Sequence, residues 1–197
     1  MRHFKSLALA AAGMMAAALI GVANAQTPAP AADPANSLVL ELKTGKVTIA
    51  LRPDLAPKHV ERVKALAKEG FYNGQKFHRV IEGFMAQTGD PTGTGMGGSK
   101  LGNLPAEFSA EPFRKGTIGA ARSASPDSAN SQFFICFTDF GCDSLKGKYT
   151  IWGKVVTGMQ YVDAITRGEP PATPDTIVKM YMAADAGAAA APAAAKK

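Results

Sequence analysis

Between residues 38 and 51 the apolar positions fall on alternate residues. Leu38, Leu40 and Leu42 alternate with Val39, Glu41 and Lys43; Thr44-Gly45 interrupts; then Val47, Ile49 and Leu51 resume, which predicts an antiparallel hairpin. The period then changes. Val60, Val63, Leu66 and Ala67 share one face of a helix that Pro57 opens and Gly70 ends. Short β runs follow at 76–81, 84–88, 117–121, 131–137, 149–155 and 176–182, with a second helix over 159–166. Eight short strands, two isolated helices and no regular βα alternation predict a mainly β fold, a closed antiparallel eight-stranded barrel capped by two α-helices.

The pattern stops at both ends. Arg2 and Lys5 precede a 16-residue apolar run, Leu7 to Val22, and Ala23-Asn24-Ala25 supplies the small-x-small cleavage pattern, so residues 1–25 read as a secretory signal peptide. The run is Ala- and Gly-rich and shorter than the roughly 20 residues a membrane span requires. No Cys near the cleavage point could accept a lipid. Residues 26–37 (7 of 12 Ala or Pro) read as a linker, and residues 183–197 (10 of 15 Ala) as a disordered tail, because neither has apolar surface to offset its ordering entropy. The folded domain is expected over 38–182, soluble and exported to the periplasm, with no membrane attachment after cleavage and a monomer as the expected state.

Composition removes several classes of function. The 197 residues carry 22 basic and 16 acidic side chains, a net charge of +6, and the bases form no dense stripe interleaved with aromatics, so nucleic acid is not indicated. His3, His59 and His78 are scattered, and Cys136 and Cys142 are the two cysteines; no pair repeats at zinc spacing, and no metal or other cofactor is expected. The spacing leaves open whether the cysteines are bonded to each other.

Two motifs invite chemistry that their context denies. Gly93-Thr94-Gly95-Met96-Gly97-Gly98 matches G-x-G-x-x-G, but Asp90-Pro91 precedes it and Leu101 to Pro105 follows, with no helix start to present amides to a phosphate; it reads as a long surface loop. No G-x-S-x-G elbow surrounds any serine. His78 and Arg79 adjoin in a strand pattern, so they should point to opposite faces.

The run Phe77 to Asp90, FHRVIEGFMAQTGD, followed by Ser131-Gln132-Phe133-Phe134-Ile135 and Trp152-Gly153-Lys154-Val155, resembles the cyclophilin family of peptidyl-prolyl cis-trans isomerases across essentially all of 38–182. The resemblance implies isomerisation of X-Pro bonds in proline-containing peptides and in unfolded or folding exported proteins. Arg79 would be the catalytic cation. Phe84, Met85, Phe134 and Leu145 would form the proline pocket, Gln87 and Gln132 would hold substrate backbone, and Ala121 and Tyr149 would line the groove. Strand alternation lets only one of Phe133 and Phe134 face the pocket; Phe134 is expected there and Phe133 in the core. Ser144 stands where animal cyclophilins carry a tryptophan, which argues for weak rather than tight binding of cyclosporin; Tyr149, where they carry a histidine, keeps a ring and a polar tip at the pocket edge. Glu82 replaces a frequent proline, and 138–143 is slightly longer than in the animal proteins. A groove that binds proline segments without turnover is the competing reading, and a nucleotide-dependent enzyme using the glycine loop is a third.

Overall fold

The computed structural model describes residues 33–186, so the expected signal peptide, most of the linker and the end of the tail lie outside the described residues. The strands are β1 (Ser37–Leu42), β2 (Gly45–Leu51), β3 (Arg79–Ile81), β4 (Met85–Thr88), β5 (Thr117–Ala120), β6 (Phe133–Cys136), β7 (Ile151–Thr157) and β8 (Ile177–Met182); the helices are α1 (Pro57–Lys68) and α2 (Met159–Asp163). Single 3-10 turns at Pro34–Asn36 and Ala183–Asp185 flank the expected domain limits.

All eight strands join one antiparallel sheet in the order β3-β4-β6-β5-β7-β2-β1-β8. The expected closed barrel requires correction. Its two margins, β3 and β8, do not pair with each other as strands; the segment ahead of β3 meets the start of β8, through the isolated bridge Lys76–Thr176 and the bonds of Gly74 and Gln75 to Ile177. The sheet is therefore an open, curled half-barrel. The apolar run over 76–81 supplies only three residues of ladder, because Phe77 bonds through its N–H to the carbonyl of Asp175 in a loop, while the carbonyl of Lys76 accepts from the Thr88 hydroxyl. The run 131–137 is likewise trimmed to β6, and α2 ends at Asp163, short of the expected 166.

The inward residues of the hairpin, Leu38, Leu40, Val47 and Ile49, are fully buried and meet Val60, Val63 and Leu66 of α1 in one core. Aromatic rings continue that core edge-to-face: Tyr72 to Phe133 at 5.6 Å and Phe133 to Trp152 at 5.3 Å between centroids.

Helix α1 starts without a local cap. Ala56 occupies the N-cap position and offers no side-chain acceptor, although Pro57 suits the first turn. The acceptor arrives from far along the chain: the Glu107 carboxylate takes the N–H groups of Lys58 and His59, both at 3.1 Å, and lies 2.6 Å from His59 Nδ1. Burial holds His59 below its usual pKa despite this neighbour, so the imidazole is neutral at pH 7 and donates from Nδ1. Burial also disfavours ionised Glu107, but His59 and the two helix amides outweigh it and lower its pKa. One carboxylate thus satisfies three donors at the positive end of a helix. Replacing Glu107 by Ala leaves all three without an acceptor, and a loss of about 1–3 kcal/mol in urea-unfolding free energy is expected; an unchanged midpoint and slope would refute this capping role.

Candidate functional site

Sheet register assembles the site. Arg79 on β3 stands opposite Gln87 on β4, Gln87 opposite Phe134 on β6, and Phe134 opposite Gly119 on β5. This is one row across four strands. Ile81, Met85 and Cys136 form the next row two residues along, on the same face. Gly119, which pairs onward with Ile151 of β7, has room for nothing larger: a Cβ there would collide with the rings of Phe134 and Phe113. Those rings stack nearly parallel at 5.8 Å, and Tyr149 meets Phe134 edge-on at the same distance.

Phe134 and Phe133 separate as alternation requires, Phe133 joining the main core and Phe134 a second cluster with Met85, Phe113 and Ile151. Above that cluster lies an open notch of about 120 Å³. It brings together eight of the nine residues expected from sequence, namely Arg79, Phe84, Met85, Gln87, Ala121, Phe134, Leu145 and Tyr149. Gln132, the ninth, does not line it. Its Oε1 accepts from Gln87 Nε2 at 2.9 Å, and its Nε2 donates to the carbonyls of Gly95 and Gly97 at 3.0 and 2.8 Å. Gln132 lines instead a larger adjoining cavity of about 380 Å³. Ser144 is exposed and lines neither cavity.

The far edge of the notch is covalently held. A disulfide joins Cys136 of β6 to Cys142, with Cα atoms 6.2 Å apart, so the pairing that sequence left open is formed. It carries the turn Asp143–Leu145 back against the sheet, and the N–H of Tyr149 bonds to the Leu145 carbonyl at 3.2 Å.

Arg79 is half-exposed beside buried His78, and its Nε lies 3.5 Å from Glu169 Oε1. The segment presenting Glu169 is fastened to β3 at the neighbouring residue: Val80 and Gly168 exchange N–H to carbonyl bonds, both 2.8 Å.

Sequence reasoning missed two features. The glycine-rich segment is a surface loop as expected, but one tied down from beneath, because buried Asp90 gathers it. The Asp90 carboxylate accepts from the N–H groups of Thr92 (2.8 Å), Thr94 (3.1 Å), Gly95 (2.7 Å) and Gly97 (3.1 Å) and from the Thr92 hydroxyl. The Asx-turn chemistry of Asp90-Pro91-Thr92-Gly93 was the available signal. The second is Arg122, which lines both cavities next to Ala121; no sequence pattern marks it. Among the described residues, no cluster of three or more His, Cys, Asp or Glu could hold a metal ion, and no helix is long and apolar enough to cross a membrane.

Burial alone would raise the pKa of Asp90, but the amides and hydroxyl that it accepts from outweigh burial and hold it at about 2. A depressed carboxylate contributes stability above its unfolded pKa of about 3.9 and loses it as pH falls through the folded value. The amide resonances of Thr92, Gly95 and Gly97 should therefore titrate together with a midpoint near 2, and Asp90→Asn should abolish the transition; a midpoint near 4 would show that the loop is not held this way.

Residues 37–182 match the family model described as cyclophilin type peptidyl-prolyl cis-trans isomerase/CLD. The chain is 51% identical over 194 residues to a probable peptidyl-prolyl cis-trans isomerase of Brucella suis biovar 1, covering 90% of this chain and 96% of that protein. It is 42% identical over 134 residues to a peptidyl-prolyl cis-trans isomerase of Helicobacter pylori, covering 65% and 80%. Among solved structures, a cyclophilin from Hirschia baltica superposes with a TM-score of 0.71 at 29% identity, covering 78% of this chain and 76% of that one. A cyclophilin-type isomerase from Cryptosporidium parvum, crystallised in the presence of the dipeptide Ala-Pro, gives 0.69 at 27% identity, covering 74% and 98%.

Proposed function

The chain belongs to the cyclophilin-type peptidyl-prolyl cis-trans isomerase family, and from that premise we propose that the notch beside Arg79 is where it rotates X-Pro bonds of exported proteins. The uncatalysed rotation faces a barrier of about 18–20 kcal/mol because twisting the bond destroys amide resonance. No bond breaks, so the catalyst needs neither nucleophile nor metal. It needs to bind the twisted amide more tightly than either planar form.

The observation that carries this reading is the meeting of a guanidinium with apolar side chains around a notch of proline size. Phe84, Met85, Phe134 and Leu145 offer the pyrrolidine ring two rigid aromatic walls and two adaptable aliphatic ones. In the twisted state the prolyl nitrogen regains a localised lone pair, and Arg79, always protonated, donates to it. The planar nitrogen is a poor acceptor, so the bond strengthens mainly at the transition state and raises turnover rather than mere affinity. Glu169 engages Nε and leaves the terminal NH2 groups of Arg79 for the substrate. Gln87 holds substrate backbone, steadied by Gln132. Lowering the barrier by about 8 kcal/mol would speed the step roughly a million-fold.

The place of work is the periplasm, where newly exported chains fold; the basic start, the apolar run Leu7 to Val22 and Ala23-Asn24-Ala25 support this. Ser144 in place of a large indole supports weak binding of cyclosporin.

Arg79→Ala is expected to abolish isomerisation of a short X-Pro peptide in an NMR exchange assay, while peptide affinity falls only a few-fold. Equal loss of both, or no turnover by the parent, would favour a groove that merely binds. For export, N-terminal sequencing of protein recovered from a periplasmic extract should begin at Gln26; recovery only from the cytosol with Met1 intact would overturn that assignment.

A further inference from the structure

The cavity adjoining the notch holds one charge. Its lining residues include no Asp or Glu, and Arg122 is the single charged side chain among them; the remainder are small, amide or hydroxyl residues with Met96 at the rim. Arg122 also lines the notch, so its guanidinium stands at the passage between the two.

That guanidinium is fixed. Its Nε and one terminal nitrogen donate to the Lys148 carbonyl at 3.2 and 2.8 Å, and the other terminal nitrogen donates to the carbonyls of Ser123 and Ala124 at 2.8 and 3.2 Å. Its plane lies over the Tyr149 ring, 4.4 Å from the centroid. All four bonds end on backbone carbonyls; among the described residues Arg122 has no carboxylate within ion-pair distance, whereas Arg79 has Glu169. The side chain is thus held in place while its charge is left uncompensated. One N–H of the five remains without an acceptor among these bonds.

We infer that Arg122 makes this isomerase selective for proline segments carrying an acidic side chain near the proline, whose carboxylate enters the adjoining cavity. The inference rests on the reading of the notch as the proline site. The cavity shares Gln87, Ala121 and Arg122 with the notch, so a residue within a few positions of the bound proline reaches it, at about 3.3–3.6 Å per extended residue. A lysine brought there would meet a fixed like charge with no acid to offset it.

The test is a matched series of short X-Pro peptides with Glu, Gln or Lys at each of the three positions on either side of proline, assayed for kcat/KM by NMR exchange. At one or more positions the parent should prefer Glu over Lys by about three- to tenfold, as expected for a partly exposed ion pair, and the preference should shrink at high salt. In Arg122→Gln the Glu-to-Lys ratio should fall to near one; in Arg122→Lys, which keeps the charge, it should stay above one. Because each ratio is taken within one variant, a partial loss of activity does not obscure it. Turnover of every peptide with no Glu preference, or a preference that survives Arg122→Gln, overturns this inference alone. No turnover of any peptide by the parent overturns the reading of the notch as well.

Discussion

The row Arg79–Gln87–Phe134–Gly119 is the constraint on which the site depends. Four residues from four strands meet because antiparallel pairing aligns them, and the two-residue period of a strand then decides which face they share. A slip of one position in β6 would send Phe134 into the main core and bring Phe133 to the notch, together with every neighbour on that strand; a slip in β4 would do the same to Met85 and Gln87. The buried chain of rings Tyr72, Phe133 and Trp152 opposes such a slip. Core packing and site geometry are thus enforced by the same ladder.

Around that row, parts of the molecule without regular structure take on fixed tasks. Asp90 turns a glycine-rich stretch into the wall of a cavity, and Gln132 clasps the same stretch from the other side through two of its carbonyls. Glu107, in a long irregular segment, supplies the start of α1 with the acceptor its own sequence lacks. In each case one side chain, well placed, gathers several backbone groups that a helix or ladder would otherwise satisfy.

Much of this was legible in the chain and some was not, for identifiable reasons. The hairpin and α1 could be read because Leu38 to Leu51 and Val60 to Ala67 repeat at the periods of a strand and a helix. The separation of Phe133 from Phe134 followed from the same rule. The role of Asp90 could not be read from periodicity, since a carboxylate collecting amides over seven residues leaves no apolar pattern. Arg122 was hidden because its position depends on carbonyls from Ser123, Ala124 and Lys148, the last brought close only by folding. Barrel closure was overestimated: a run of apolar residues at 76–81 reads as one strand, although half of it bonds to loops. The partnership of Cys136 with Cys142 depended on the path of the chain between them.

The open half-barrel leaves two sheet edges, which any protein must keep from pairing with another chain. At β3 the outward N–H and carbonyl of Val80 are both occupied by Gly168, and at β8 the N–H of Met180 is taken by the Asn73 side chain. An extended segment laid along either edge would therefore meet these groups already paired. At these two positions the sheet margins offer no free backbone N–H to a further strand.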